Sequence, residues 1–216
     1  MNKANIVIID YGMGNIQSIN NALVRMGGNV SISNKAEDVL AADALILPGV
    51  GAFGEAMSNL KSLGLIESII SAVKYQNKPL LGICLGMQLL ADTSDERGSS
   101  NGLSLIPGNV ECIPVTPDLR LPHIGWNTLD LKQKEPLFVG VDDGDAVYFV
   151  HSYHFVCDQT YVAATTDYGS EVVAAVQYGN IFGVQFHPER SQKKGLILLG
   201  NFVNHVNQTY QEFEPC

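Results

Sequence analysis

Short runs of consecutive apolar residues set the pattern of this chain. Residues 4–9 (ANIVII), 44–47 (ALIL) and 80–83 (LLGI) are unbroken and rich in branched side chains, as strands of a parallel sheet must be when both faces are buried. Residues 29–33 fit another short strand. Between these runs, apolar positions recur at helical spacing over about 16–26, 55–60 and 65–75, and helices are predicted there. The alternation predicts an α/β fold built on an open mixed, largely parallel sheet flanked by helices. Further along, residues 110–147 place Pro114, Pro117, Pro122 and Pro136 among short alternating runs. That stretch reads as irregular loops and additional antiparallel strands. Residues 145–153 (DAVYFVHSY) read as one buried strand, 161–165 and 172–177 continue the strands, and 181–186 (IFGVQF) is the last. An amphipathic run over 195–211 predicts a closing helix that covers the sheet.

Composition narrows the classes without changing this picture. The 216 residues are 46% hydrophobic and 16% charged, as in an ordinary globule, and no linker composition divides them, so residues 1–216 read as one domain. A net charge of -9, with no basic cluster longer than Lys193 to Lys194, argues against nucleic acid and anionic membranes as partners. Cys84, Cys112, Cys157 and Cys216 show neither CxxC spacing nor a compact framework. No metal site or disulfide scaffold is expected, and a reducing cytoplasm fits best. The apolar start stops at Asp10, too soon for a signal peptide, and no later run approaches a membrane span. The turn at 10–15 hints at a dinucleotide fingerprint, but the pattern needs glycine where Gln17 stands, so no cofactor is expected.

The chemistry begins with PLLGICLGMQ at 79–88. Cys84 falls between a predicted strand and helical spacing over 85–91, flanked by Gly82 and Gly86. A nucleophile elbow requires this, because the residues two before and two after the nucleophile approach too closely for a Cβ. The helix start then faces the sulfur, where its amides favour a thiolate, and the amide of Leu85 is placed to donate to an oxyanion. A core cysteine between incidental glycines is the plainer alternative. PGVG at 48–51 ends a strand with glycines that let backbone amides turn toward a ligand, although an ordinary tight turn would look the same. The last strand delivers His187-Pro188-Glu189 at its end, where open α/β sheets gather their sites. In a cysteine hydrolase an imidazole takes the thiol proton and returns it to a leaving amine, while a carboxylate orients the ring. HPE supplies both on one turn, with Pro188 holding His187 extended. The polar segment 92–101 (DTSDERGSSN) reads as a surface loop that brings Glu96 near the elbow as a candidate for an ammonium group. By itself PHIGWN at 122–127 reads as core packing around the single tryptophan.

These motifs resemble the class I, triad-type glutamine amidotransferases, with GICLGMQ as the nucleophile motif and FHPE as the base motif, over essentially the whole chain. Their flavodoxin-like fold is thereby implied. Within the class, PGVGAF, PHIGWN, YFVHSY, GVQFHPERS and the Met87 that follows the second glycine resemble the glutaminase subunits of imidazole glycerol phosphate synthase, an enzyme of histidine biosynthesis. The resemblance implies Cys84 as nucleophile, His187 as general base and acid, and Glu189 as orienter. It places glutamine against Gly51, Gln88, Glu96, Ser152 and Tyr153, with the oxyanion held by the amide of Leu85 and one from Gly49, Val50 or Gly51. It also implies a partner, a (β/α)₈-barrel cyclase forming a heterodimer and receiving ammonia, with Asn15, Trp126, Tyr148 and Arg190 at the interface. At position 190 the family often carries lysine, so a cation is kept with different donor geometry. Weak glutaminase activity of the isolated chain is expected, because PGVG would present its amide only when partner and ligand bind. A paralogous subunit serving bacterial surface-sugar amidation is the nearest alternative. A cysteine hydrolase or chaperone-like protein with the elbow alone, and a noncatalytic nucleotide-binding module, rank below it.

Overall fold

The structure, a computed structural model, describes residues 3–114 and 119–213. Pro117 and Cys216 lie outside the described residues. Branched apolar runs become strands here because their residues face two layers at once. In β1 (Asn5–Ile9), Ile6 and Ile8 join one core cluster while Val7 and Ile9 join the other. The first cluster is completed by Ile19 and Leu23 of α1 (Ile16–Arg25) and by Leu198 and Phe202 of α6 (Gln192–Phe213). The second is completed by Phe53 and Leu60 of α3 (Phe53–Ser62) and by Leu65 and Ile69 of α4 (Leu65–Ile70). Buried apolar area on both faces drives the sandwich, at roughly 25 cal/mol per Å² removed from water.

The central sheet has eight strands. Five run parallel, in the order β2 (Asn29–Ser33), β1, β3 (Ala44–Leu47), β4 (Leu80–Ile83) and β14 (Ile181–Val184). On the other side of β14 the pairing turns antiparallel through β13 (Glu171–Tyr178), β12 (Val162–Asp167) and the two residues of β9 (Asp130–Leu131). The predicted fold class, an open mixed sheet flanked by helices with additional antiparallel strands, is the one observed.

Three local expectations are corrected. The surface loop expected at 92–101 is a small hairpin, β5 (Thr93–Ser94) with β6 (Ser100–Asn101), because β5 also pairs with β7 (Asn109–Cys112), and Ser94 is buried. The single strand expected at 145–153 breaks at Ser152. Its first part, β10 (Ala146–His151), pairs with β8 (His123–Thr128), while β11 (Tyr153–Val156) pairs with β7 in a different sheet. The helical spacing over 85–91 yields only one α-helical turn, α5 (Leu85–Gln88). A further helix, α2 (Ala36–Ala41), was not expected; with Val39 as its only buried residue it leaves no periodic signal. Among the described residues, no helix is long and apolar enough to cross a membrane.

Candidate active site

Strands β4 and β14 are neighbours and parallel, with Ile83 beside Val184, so the residues that follow each strand leave the sheet at the same edge. The amide of Cys84 donates to the carbonyl of Val184 at 2.8 Å. This one hydrogen bond explains how a cysteine and a histidine more than a hundred residues later meet.

The elbow is tight. A Cβ on Gly82 would lie 2.6 Å from the carbonyl oxygen of Gly86, and one on Gly86 would lie 1.8 Å from that of Leu47. Cys84 itself sits at φ 56°, ψ -112°, a region that side chains with a Cβ rarely occupy, and such conformations persist only where the surroundings enforce them. The PGVG turn is packed onto this elbow. A Cβ on Gly49 would lie 2.6 Å from the hydroxyl oxygen of Tyr11 and 2.8 Å from the amide nitrogen of Gly86. The Tyr11 hydroxyl donates to the carbonyl of Pro48 at 2.7 Å. Burial, then the charge of Cys84, raises the Tyr11 pKa, so the phenol keeps its proton.

His187 is extended, at φ -97°, ψ 96°, and a 3₁₀ turn over Pro188–Arg190 swings Glu189 back toward it. His187 Nδ1 meets Glu189 Oε1 at 2.9 Å, and the side chains are 5% and 0% exposed. Because a carboxylate oxygen only accepts, Nδ1 carries a proton toward Glu189, and Nε2 is the ring nitrogen left for Cys84. Nε2 is buried without a conventional hydrogen-bond partner, yet it lies within the influence of Cys84. Burial alone would lower the His187 pKa, but bonding to Cys84 and Glu189, together with their negative charges, raises it to about 10. The imidazolium is therefore the favoured form of His187.

Beside this group lies a cavity of about 500 Å³. Of the residues assigned to glutamine from the sequence, Val50, Gly51, Leu85, Gln88, Glu96, Ser152 and Tyr153 line it together with Cys84 and His187. Gly49 lies behind them against the elbow. Glu96 Oε2 accepts from the amide of Phe53 at 2.8 Å, which ties the hairpin to the segment after PGVG. Arg97, Pro122, Val150 and His151 also line the cavity and were missed. Arg97 could have been found from its place next to Glu96, whereas Pro122 and Val150 enter through strand pairing.

The larger cavity, of about 590 Å³, lies between α3, α4 and the hairpin, among Met57, Lys61, Glu67 and Asn101. None of the residues assigned from the sequence lines it. A second polar chain runs away from the elbow: His151 Nδ1 contacts the Tyr153 carbonyl at 2.9 Å, His123 Nδ1 meets His151 Nε2 at 3.0 Å, and Asn127 Nδ2 meets His123 Nε2 at 3.3 Å. The carbonyl accepts only, so every tautomer follows from it.

Trp126 is half exposed, contrary to the expectation of core packing. It meets the ring of Tyr148 edge-on at 6.0 Å, and the Arg190 guanidinium lies 4.4 Å over that same Tyr148 ring. The carbonyl of Tyr148 accepts from the amide of His187 at 2.9 Å. Asn15 is exposed at the head of α1, which packs on the turn carrying Arg190. The three described cysteines are free thiols. Burial, then the Asp158 charge, pushes Cys157 up to about 11, leaving it inert. Among the described residues, no cluster of His, Cys, Asp or Glu is arranged to hold a metal ion.

Residues 7–206 match the family described as Glutamine amidotransferase class-I. Imidazole glycerol phosphate synthase subunit HisH 2 of Vibrio vulnificus is 48% identical over 202 residues, covering 93% of this chain and 94% of that protein. The HisH subunit of Moorella thermoacetica is 48% identical over 198 residues, covering 91% and 93%. Among solved structures, a glutamine amidotransferase from Thermotoga maritima superposes with a TM-score of 0.61 at 17% identity, covering 100% of this chain and 88% of that one; that likeness concerns the fold alone.

Proposed function

The chain belongs to the class I glutamine amidotransferase family and serves as the glutaminase subunit of imidazole glycerol phosphate synthase; from this premise we propose that it hydrolyses glutamine through Cys84, His187 and Glu189. The ammonia passes to a partner subunit, which we take to be a (β/α)₈-barrel cyclase. The observation that carries the reading is the buried His187–Glu189 pair at 2.9 Å, facing Cys84 where two neighbouring parallel strands end.

In this mechanism the Cys84 proton rests on His187 Nε2 before the reaction, and the thiolate sulfur adds to the side-chain amide carbon of glutamine. The oxyanion is met by the amide of Leu85 and one from the 49–51 turn; losing one such donor typically costs ~10²- to 10³-fold in rate. His187 returns its proton to the leaving nitrogen, the C–N bond breaks, and ammonia departs from a γ-glutamyl thioester. His187 then takes a proton from water, whose oxygen attacks the thioester, and glutamate leaves as the thiolate sulfur is expelled beside the protonated His187. Gln88, Glu96, Ser152 and Tyr153 hold the substrate, with one Glu96 oxygen already committed to the amide of Phe53. The partner docks over Asn15, Trp126, Tyr148 and Arg190, beside the carbonyl that holds the His187 backbone.

The test incubates the chain with a cyclase partner in the presence of the cyclase's ribonucleotide substrate. Glutamate release should be weak alone and rise on assembly, and a glutamine-mimicking chloroketone should modify the peptide that contains Cys84. Labelling elsewhere, or full turnover without a partner, would overturn the assignment or its gating respectively.

A further inference from the structure

Gln185, two residues before His187, has no exposed surface. A fully buried carboxamide must place its donors and acceptor on protein groups or lose its hydration unrepaid. Its Nε2 lies 3.8 Å from Cys84 Sγ, and its Oε1 lies 2.9 Å from Gln88 Nε2. Gln88 Nε2 in turn lies 3.0 Å from the carbonyl of Tyr153.

A chain of two carboxamides could in principle be flipped end for end, but a backbone carbonyl at one end removes the choice. The Tyr153 carbonyl only accepts, so Gln88 must turn its NH₂ toward it. The second proton of that NH₂ then points at Gln185, which must offer its oxygen. Gln185 is left with its N–H directed at the sulfur. The orientation of a group touching the nucleophile is thus fixed from β11, in another sheet, through Gln88.

The sulfur has a competing neighbour. Val150 places its carbonyl 3.9 Å from Cys84 Sγ, and a carbonyl there can only accept, which favours the protonated thiol. An N–H can only donate, which favours the thiolate. We propose that Gln185 is a further functional residue of the glutaminase reaction, stabilising the Cys84 thiolate and holding its sulfur in line through a hydrogen bond whose direction is imposed by Gln88 and the Tyr153 carbonyl. When His187 removes the thiol proton, no new group has to move in, because the donor is already in place. Committing both Gln88 protons inside the protein also leaves only its Oε1 to meet substrate. The inference rests on Cys84 being the nucleophile.

The test compares the full chain with Gln185→Leu and Gln185→Glu by the pH dependence of iodoacetamide alkylation at Cys84, followed on its own peptide by mass spectrometry. Leu removes the donor and the Gln88 contact. Glu keeps an acceptor for Gln88 but turns a carboxylate on the sulfur. The midpoint of alkylation should rise by about one pH unit in Gln185→Leu, giving about a tenfold slower reaction near neutrality, and further in Gln185→Glu. In the assembled synthase kcat should fall about tenfold with KM for glutamine changed less than about threefold. If Gln185 only anchored Gln88, the Glu variant would behave like the native chain. A native midpoint in either variant, with native near-UV circular dichroism, overturns the proposal. Glutamine turnover surviving Cys84→Ala would instead overturn the nucleophile assignment beneath it.

Discussion

At the scale of single residues, the site is built from groups held in states they would not adopt alone. Glu189 has a fully buried side chain with one oxygen on His187 and the other without a partner, so the imidazolium is its principal compensation. Cys84 is held at positive φ, at a cost of order 1–3 kcal/mol for a residue with a Cβ. Glycine would remove that strain while adding backbone entropy to the unfolded chain worth roughly 0.5–1 kcal/mol. The strain is the larger, so Cys84→Gly should be more stable than Cys84→Ala by about 1 kcal/mol, seen as a few degrees in thermal unfolding. Both variants should be inactive. Equal stability, or a more stable Ala variant, would mean that the elbow imposes no backbone strain on Cys84.

At the scale of elements, the elbow works because a helix is pressed against two strand ends at once. The carbonyl of Leu47, at the end of β3, lies where a Cβ of Gly86 would have to go, and both partners are backbone, which cannot rotate aside. Gly86→Ala should therefore cost about 3 kcal/mol or more, lowering the unfolding midpoint in urea and separating Cys84 from His187. A Gly86→Ala chain of native stability and glutaminase rate would contradict the close approach. These features were legible in the sequence, because a strand, a GxCxG turn and an HPE turn are all local. The parallel core strands were legible too, since burial on both faces demands unbroken apolar runs. What escaped was decided by pairing partners. Nothing in DAVYFVHSY announces that Ser152 hands the chain from β8 to β7, and nothing in DTSDERGSSN announces that β7 will claim it as a hairpin. Gln185 was read only as part of a strand, because its role depends on a carbonyl that arrives from β11.

At the scale of the whole molecule, the histidines set how stability responds to pH, and they act in opposite directions. Burial lowers the pKa of His151 to about 3, and that of His123 is also lowered by burial. Both are neutral in the native network, while an unfolded histidine titrates near 6.5. Below about 6.5 the unfolded chain binds protons that the native fold refuses, so stability falls as the pH drops toward 3, by up to about 1.4 kcal/mol per unit for each such histidine. His187 does the reverse. Its native pKa is raised to about 10, so its stabilisation is complete below about 6.5 and is lost as the pH rises through 10. The two limbs meet near neutrality. Urea unfolding between pH 4 and 10 should therefore give a maximum near pH 6–7. Replacing His151 by Phe should flatten the acid limb and leave the alkaline one, whatever it does to the height of the curve. Replacing His187 by Gln should flatten the alkaline limb alone. An acid limb unchanged by His151→Phe would show that the proton resisted by the fold is not on His151.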